Sequence, residues 1–180
     1  MDEKTRKVVI SEEELRINVA KMGRLISKDY KDKQLYLLAL LRGSFIFAAD
    51  LCRNIDIPVK IGFMTTSSYG SNEQSSGDIE VVNDIPDNIQ GFDVLVVDDI
   101  IDTGYTMKFV LSHVMNKGAA SVKCCTLLDK PSRRKVAGLV PDYCAFTIED
   151  VFVVGYGLNY GDYYRNIPYI FNWEDTPGKQ

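Results

Sequence analysis

The chain has 180 residues, of which 46% are hydrophobic, and this supplies enough apolar material for the core of one domain spanning residues 1-180. Its 21 basic and 25 acidic residues are mixed along the sequence and give a net charge of -4, so no basic surface for nucleic acid is predicted. No segment has the apolar length of a signal peptide or a membrane span. We therefore expect a cytoplasmic protein that binds neither nucleic acid nor membrane.

The cysteine and histidine content narrows the possible chemistry further. The cysteines form no CxxC pair, and we expect them to be reduced and packed as small apolar residues. They are Cys52, Cys124, Cys125 and Cys144. His113 is the only histidine, so neither a Ser-His-Asp triad nor a multi-histidine metal site is expected.

The predicted elements alternate between segments of helical spacing and apolar runs typical of buried strands. In chain order they are helix 11–30, strand 35–41, helix 44–55, strands 59–66, 78–84 and 93–99, helix 104–116, strands 121–128 and 142–148, and the short run 151–156. Ser11 and Glu14 predict a capping box at the start of the first helix. Gly118 closes the third helix.

Runs rich in valine, isoleucine and leucine, separated by helices, predict an α/β fold with a mainly parallel central sheet and helices on both faces. Ligands of such folds bind beyond the carboxyl ends of the strands. One stretch resists this scheme, because TTSSYGSNEQSSGD, residues 65–78, is polar and too long for an ordinary connection. It is either a disordered connector or a flexible active-site lid.

The segment VLVVDDIIDTGYTM, residues 94–107, ends a predicted strand on two adjacent aspartates, Asp98 and Asp99. Adjacent carboxylates repel each other unless they share cations or accept several hydrogen bonds, which suits a polyhydroxyl or metal-bound ligand. Behind them, Asp102 to Thr106 offer hydroxyl groups, a glycine and the N–H groups of a helix start, which suits a phosphate monoester. Together these features indicate a sugar phosphate.

Other interpretations of the glycines and aspartates fit less well. A Walker B strand would need a GxxxxGK[ST] loop, and the chain contains none. A phosphorylation receiver carries its acidic pair near the domain start, whereas Asp99 lies past the middle of this chain. GYGLNYG, residues 155–161, departs from the Rossmann glycine spacing and is interpreted as a turn. A purely structural role, with Asp102 as a helix cap, leaves the convergence of acids and hydroxyls unexplained.

The stretch VLVVDDIIDTGYT, residues 94–106, resembles the phosphoribosyl pyrophosphate motif of the type I phosphoribosyltransferases. Further segments are similar, in order over almost the whole chain, to the hypoxanthine-guanine branch of that family. They are LLRGS at 40–44, SSYG at 67–70, SSGDI at 75–79, LLDK at 127–130 and FVVGYGLNYGDYYRN at 152–166. The resemblance implies the type I fold, with a small hood built from the terminal segments and a purine-binding hood segment at about 150–180.

Carried over residue by residue, the resemblance implies a phosphoribosyl site in the central motif. Asp98 and Asp99 would hold the ribose hydroxyls, and Asp102 would lie near purine N7 and move its proton. The backbone from Asp102 through Thr103, Gly104, Tyr105 and Thr106 would hold the 5-phosphate.

The resemblance also implies a pyrophosphate site and a lid. Arg42 and Gly43 match the pyrophosphate loop, in which the peptide before the basic residue is typically cis. Arg42 and Arg165 can neutralise the pyrophosphate, although each alone could be an exposed, solvated charge. Ser68 and Tyr69, in the lid of about 65–78, would close over the reacting centre and exclude water.

Base recognition would involve Lys130, which can donate to a 6-oxo group, Phe152 stacking on the ring, and the Val153 backbone at the base edge. Adenine carries a donor at that position and should be rejected. Asn159 belongs to the same purine-binding segment. Taken singly, Lys130 could be a solvated strand-end lysine and Phe152 a core aromatic.

Three positions depart from the family pattern. Asp98 stands where glutamate is usual, and Tyr105 occupies a variable position that can be lysine. Asn159 replaces an aspartate that helps to bind a second magnesium ion. The metal set implied for Mg²⁺ is thus Asp98, Asp99 and Asn159, and because an amide is a weaker ligand for a hard cation, we expect a raised magnesium requirement.

The implied activity is transfer of phosphoribose from phosphoribosyl pyrophosphate to N9 of hypoxanthine or guanine, with pyrophosphate released. A xanthine-preferring transferase and a non-catalytic phosphoribosyl pyrophosphate sensor are the alternatives. The family forms dimers and tetramers, so we expect a homodimer or homotetramer.

Overall fold

A computed structural model of the chain describes residues 6–68, 79–85 and 89–174. The elements follow the predicted order closely. They are β1 Lys7–Ile10, α1 Glu12–Asp29, β2 Leu35–Leu41, α2 Phe45–Arg53, β3 Val59–Ser68, β4 Ile79–Asn83, β5 Asp93–Ile101, α3 Tyr105–Asn116, β6 Ser121–Asp129, a 3₁₀ turn Pro131–Arg133, β7 Tyr143–Thr147, β8 Val153–Val154 and β9 Ile170–Asn172.

The main sheet has the strand order β4-β3-β2-β5-β6-β7. Its neighbours pair in parallel, except that β4 runs antiparallel to β3 at one edge. Alternate residues of β2 pack into the hydrophobic cores on opposite faces of the sheet. Leu37 and Ala39 pack with α1 and α2, whereas Leu38 and Leu40 pack with α3. The predicted α/β fold, with a mainly parallel sheet and helices on both faces, is confirmed.

Helix α1 forms where its sequence predicts it. The Glu14 N–H donates to Ser11 Oγ at 3.3 Å, and Glu14 Oε2 accepts from the Ser11 N–H at 2.9 Å, which completes the capping box. Its buried stripe is Leu15, Val19, Met22, Gly23 and Ile26. A Cβ on Gly23 would lie 2.3 Å from the Asn54 carbonyl oxygen, so the missing side chain lets α1 approach the end of α2.

A second, three-stranded sheet forms the hood, in the order β1-β9-β8. Both of its pairings are antiparallel. Arg6, just before β1, donates from Nη1 to the Tyr169 hydroxyl at 3.1 Å. The hood predicted from the terminal segments is therefore present, within the residues that the structure describes.

The predicted loop at 65–78 begins too early. Residues 65–68 belong to β3, because they pair with β4 in an antiparallel ladder that extends the strand past its parallel partner. Residues 69–78 lie outside the described residues, so the lid itself stays a prediction. The run at 151–156 forms only the two-residue strand β8 before the chain turns.

The four cysteines are free, as expected. Burial of all of them is not observed: Cys124 and Cys125 are buried, Cys52 is partly buried and Cys144 is exposed. Separately, among the described residues no helix is long and apolar enough to cross a membrane.

Candidate active site

The two aspartates lie near the carboxyl end of β5, in the middle of the main sheet. The Asp99 N–H donates to Asp98 Oδ1 at 3.0 Å, and the Ile100 N–H donates to Asp99 Oδ1 at 3.0 Å. Burial raises the pKa of Asp98 well above its ordinary value, and the neighbouring Asp99 charge adds to this effect. Burial also raises the pKa of Asp99, with the Arg165 charge among the opposing causes. A cation or hydroxyl donors would therefore be needed to stabilise the ionised form of this pair.

The raised pKa of Asp98 has a consequence for stability. A carboxyl group that binds its proton more tightly in the folded state stabilises the fold below its unfolded pKa, and this contribution is lost as pH rises through the folded pKa. At pH values above the unfolded pKa, including pH 7, the raised pKa of Asp98 therefore makes the ligand-free protein less stable than it is in acid. We therefore expect Asp98→Asn to raise the melting temperature at pH 7, by roughly 2 to 4 °C for each kcal/mol added to the free energy of unfolding. The difference in melting temperature between variant and parent should vanish near pH 4.

Thermal unfolding of both proteins across this pH range measures the effect. The exposed Asp56 is the matched control, since Asp56→Asn should leave the melting temperature unchanged. An Asp98→Asn protein less stable than its parent at pH 7 would contradict the assignment of burial as the dominant cause.

Behind the aspartates, residues 102–106 form the turn into α3. Gly104 has φ 89°, and a Cβ there would lie 2.7 Å from Leu139 Cδ2, so both conformation and space require glycine. No side chain among the described residues caps the first N–H groups of α3. A cavity of about 100 Å³ lies at this turn, lined by Asp98, Ile100, Ile101, Asp102, Thr103, Gly104, Thr106 and Met107. Uncapped N–H groups beside a small cavity are able to accept an anion, which is the role that the sequence predicts for this turn.

The predicted pyrophosphate loop contacts the aspartate pair. The Leu41–Arg42 peptide is cis, as the resemblance implied. A Cβ on Gly43 would lie 1.8 Å from Asp99 Oδ2, and one on Gly157 would lie 2.2 Å from the Gly43 carbonyl oxygen. Two backbone segments, the Gly43 loop and the Gly157 turn, thus stack closely over the Asp99 side chain of β5, and only glycines permit it.

Arg165 joins this group through the turn that carries Gly157. Its Nη1 donates to the Gly157 carbonyl at 2.6 Å, and its charge acts on Asp99. Arg42, in contrast, is exposed. The loop therefore carries one exposed cationic side chain, Arg42. A second, Arg165, is held beside the loop by its bond to Gly157.

Lys130 follows β6 and is only 7% exposed, which disfavours the alternative of a solvated strand-end lysine. Its Nζ donates to the Val151 carbonyl at 2.7 Å and lies 3.7 Å from Asp150 Oδ1. The Lys130 N–H donates to the Ile101 carbonyl at 3.0 Å, which ties the lysine to the strand that carries the aspartates.

The aromatic wall near Lys130 belongs to the hood. Phe152 is 44% exposed, so it is not a core aromatic. Its ring meets Tyr160 edge to face at 6.1 Å, and Tyr160 stacks on Trp173 at 4.2 Å. Val153 is buried and pairs with Asn172 in the hood sheet. The exposed face of Phe152 is available for a flat ring.

Asn159 lies two residues after Gly157, in the same turn over the Gly43 loop. Its amide nitrogen donates to the Gly161 carbonyl, which leaves the amide oxygen as the atom that can accept or coordinate. Among the described residues no group of three or more histidine, cysteine, aspartate or glutamate side chains could hold a metal ion alone. A metal at this site would need ligand oxygens in addition to the aspartate pair.

Of the predicted lid residues, Ser68 ends β3, and Tyr69 lies outside the described residues. Sequence reasoning missed a set of contacts to Asp102. Arg133 Nε donates to Asp102 Oδ1 at 3.0 Å, and Arg134 Nε donates to the Asp102 carbonyl at 3.0 Å. Arg134 also pairs with Asp129. No motif predicts these arginines, because solvated charges after a strand are common.

Comparisons with known proteins agree with this geometry. The family model for the phosphoribosyl transferase domain matches residues 11–161. A hypoxanthine phosphoribosyltransferase from Buchnera aphidicola subsp. Schizaphis graminum is 48% identical over 168 residues, which is 92% of this chain and 94% of that protein. A hypoxanthine-guanine phosphoribosyltransferase from Lactococcus lactis is 42% identical over 170 residues, covering 94% of this chain and 92% of that protein.

A solved structure extends the likeness to three dimensions. The crystal structure of a hypoxanthine-guanine phosphoribosyltransferase from Bacillus anthracis, with a HEPES molecule in its active site, has a TM-score of 0.89 and 42% sequence identity. The match covers 93% of this chain and 98% of that one. With the aspartate pair, the anion site and the buried lysine in one fold, the chain belongs to the phosphoribosyltransferase family, in the branch of its hypoxanthine and hypoxanthine-guanine relatives.

Proposed function

We propose that this enzyme transfers 5-phosphoribose from phosphoribosyl pyrophosphate to N9 of hypoxanthine or guanine, in purine salvage, giving IMP or GMP and pyrophosphate. The observation that carries the proposal is the aspartate pair beside an uncapped helix start. Asp98 and Asp99 offer acceptors for two adjacent hydroxyls, and residues 102–106 offer donors for a phosphate at the other end of the sugar. Few ligands other than a ribose phosphate match this pattern.

The chemical step displaces pyrophosphate from C1 of the sugar. As N9 bonds to C1 and the bond from C1 to the pyrophosphate oxygen breaks, the proton at N7 passes to Asp102. Arg42 and Arg165 neutralise charge on the leaving group, and the bond from Arg165 to the Gly157 carbonyl, in the turn that packs on the Gly43 loop, supports this role for Arg165. Ser68 and Tyr69 close the lid and exclude water.

Base selectivity rests on Lys130. The Lys130 side chain is buried, and its ammonium group donates to the Val151 carbonyl. Its remaining N–H groups would offer a charged donor to the 6-oxo group of a purine. Adenine would place a donor against this donor and is rejected. Phe152 stacks on the ring, and the Val153 backbone lies at the base edge.

The residues present fit a magnesium requirement. Asp98 and Asp99, whose pKa values are raised by burial, would hold a cation together with oxygens of the ligand, and the Asn159 amide oxygen would contribute weakly. When bound, Mg²⁺ neutralises the negative charge that develops on the leaving pyrophosphate.

We expect Asn159→Asp to lower the magnesium concentration needed for half-maximal phosphoribosyl pyrophosphate binding, by about tenfold. A carboxylate is a stronger ligand for a hard cation than an amide oxygen. Calorimetric titration with phosphoribosyl pyrophosphate at several magnesium concentrations measures the change. Asn166→Asp, which adds the same charge at an exposed position of the same segment, is the control. An unchanged magnesium dependence in Asn159→Asp would contradict the proposal that residue 159 contributes to the magnesium site.

We also propose a homodimer or homotetramer in the cytoplasm. Ile61 and Phe63 are 43% and 47% exposed on β3, and Phe45, at the start of α2, is 41% exposed. Exposed apolar side chains on one strand suit a subunit contact. Light scattering should give a multiple of the chain mass of 20.3 kDa, and a monomer at micromolar concentration would contradict the assembly.

The free cysteines suit the reducing environment of the cytoplasm, and cell fractionation tests this location.

The experiment that tests the function is release of pyrophosphate from phosphoribosyl pyrophosphate and magnesium, base by base. Turnover with hypoxanthine and guanine, and none with adenine or uracil, is the expected result. Preference for xanthine would favour the related transferase instead. Binding of phosphoribosyl pyrophosphate without turnover of any base would indicate a sensor and contradict the proposed reaction.

A further inference from the structure

Arg133 is the side chain that holds the proposed proton acceptor. It ends the 3₁₀ turn Pro131–Arg133 that follows β6. Its Nε donates to Asp102 Oδ1 at 3.0 Å, and its Nη1 lies 3.4 Å from Asp150 Oδ2. The guanidinium therefore spans two carboxylates that belong to different connections of the main sheet.

Lys130, the lysine proposed for base recognition, precedes Arg133 in the connection that follows β6 and approaches the same Asp150. Asp150 Oδ1 lies 3.7 Å from Lys130 Nζ, which itself donates to the Val151 carbonyl. Charges of alternating sign thus run from Lys130 through Asp150 and Arg133 to Asp102. This row links the residue proposed to sense the 6-oxo group with the residue proposed to take the N7 proton.

The backbone and the carboxylate of Asp102 are held by different arginines. Arg134 is largely buried, and it donates to the Asp102 carbonyl while pairing with Asp129, so it anchors the backbone. Arg133 donates its hydrogen bond to Oδ1 of the carboxylate. A carboxylate held through one oxygen keeps its rotation fixed while the second oxygen stays available to a ligand.

We infer that Arg133 is a positioning residue, which orients the Asp102 carboxylate so that Oδ2 faces N7 of the purine. The inference rests on the role proposed above for Asp102. Arginine suits this task because its planar fork presents Nε and Nη1 donors in fixed geometry, and a lysine could not span both carboxylates.

A role in folding alone predicts different behaviour. The side chains of Arg133 and Asp102 are 49% and 39% exposed, and ion pairs at such exposure contribute little to stability. Arg133→Gln should therefore fold and melt like the parent protein. A loss of kcat would then not be a folding effect, and because Arg133 also contacts Asp150, a second substitution at Asp102 is needed to show through which carboxylate it acts.

A double-mutant cycle on the full chain tests the inference, with Arg133→Gln, Asp102→Asn and the combined variant assayed for kcat with hypoxanthine. We expect Arg133→Gln to lower kcat by about tenfold, a fraction of the full general-base contribution, with Kd for phosphoribosyl pyrophosphate unchanged. In the Asp102→Asn background the same substitution should change residual turnover by less than about twofold, because the group that it orients is absent. Arg16→Gln removes another arginine that pairs with a carboxylate, on the exposed face of α1, and should have no effect in either background.

The outcomes separate this inference from the function on which it rests. Equal losses in the two backgrounds would overturn it, as would a faster Arg133→Gln enzyme, because the ion pair would then restrain Asp102 rather than position it. An Asp102→Asn protein with full turnover would instead refute the role of Asp102 itself. The expected pattern is a large loss in Asp102→Asn, a smaller loss in Arg133→Gln, and no further loss on combining them.

Discussion

Asp102→Asn should lower kcat by about two to four orders of magnitude, the range that general acid–base groups contribute, while phosphoribosyl pyrophosphate still binds. Asparagine has the same shape, and its amide oxygen can still accept from Arg133, so the turn at 102–106 should keep its conformation. The amide cannot take the N7 proton. Steady-state turnover with hypoxanthine and calorimetric binding of phosphoribosyl pyrophosphate measure the two quantities separately.

The control for this variant is Asp162→Asn, which makes the same chemical change at an exposed position in the hood segment. It should leave both quantities within about twofold of the parent, as surface substitutions away from a site usually do. Full turnover in Asp102→Asn would refute the proton-transfer role. Loss of phosphoribosyl pyrophosphate binding would point to a role for Asp102 in shaping the phosphate cradle.

Gly43→Ala should weaken phosphoribosyl pyrophosphate binding and turnover by about a hundredfold, since misplacing a site group by about 1 Å has effects of this size. The added Cβ would lie 1.8 Å from Asp99 Oδ2 and 2.6 Å from Asp99 Cγ, so either the carboxylate or the pyrophosphate loop has to move. The loop has little freedom, because the Gly43 carbonyl already faces Gly157. Isothermal titration with phosphoribosyl pyrophosphate gives the affinity directly.

Gly91→Ala separates this local effect from a general effect of adding a methyl group. Gly91 has φ 80°, with no atom within 4 Å of the added Cβ, and it precedes β5 at the opposite end of the sheet from the aspartates. We expect that variant to lose about 1 kcal/mol of stability through its backbone conformation, with unchanged affinity. If Gly43→Ala bound phosphoribosyl pyrophosphate as tightly as Gly91→Ala, the close contact with Asp99 would not matter for the site.

Local patterns predict much of this fold. The capping box at Ser11 and Glu14 places the start of α1 correctly, because both partners lie within one turn of each other. The apolar run before Asp98 predicts β5, and the aspartates fall at its carboxyl end because the fold class puts ligand sites there. These predictions need only neighbours in sequence and one rule of topology.

Contacts between distant segments could not be predicted in the same way. Nothing around Arg133 indicates a contact with Asp102, since the ion pair depends on how the turn after β6 folds back against the turn after β5. The extension of β3 through Ser68 was missed because its serines and threonines resemble loop residues, and only pairing with β4 makes them a strand. The fit of Gly43 against Asp99 is likewise visible only once three segments are brought together.

The hood sheet has a consequence for how the enzyme assembles. It joins β1 to β9, and the bond from Arg6 to Tyr169 spans 163 positions of the chain. The main sheet is complete at Thr147, well before β9 has been synthesised. Closing so long a loop is entropically expensive and slow, so we expect the sugar-phosphate half to fold first and the base pocket to form last. Hydrogen-exchange labelling pulsed during refolding would show this order as later protection of the β8 and β9 amides than of the β5 amides.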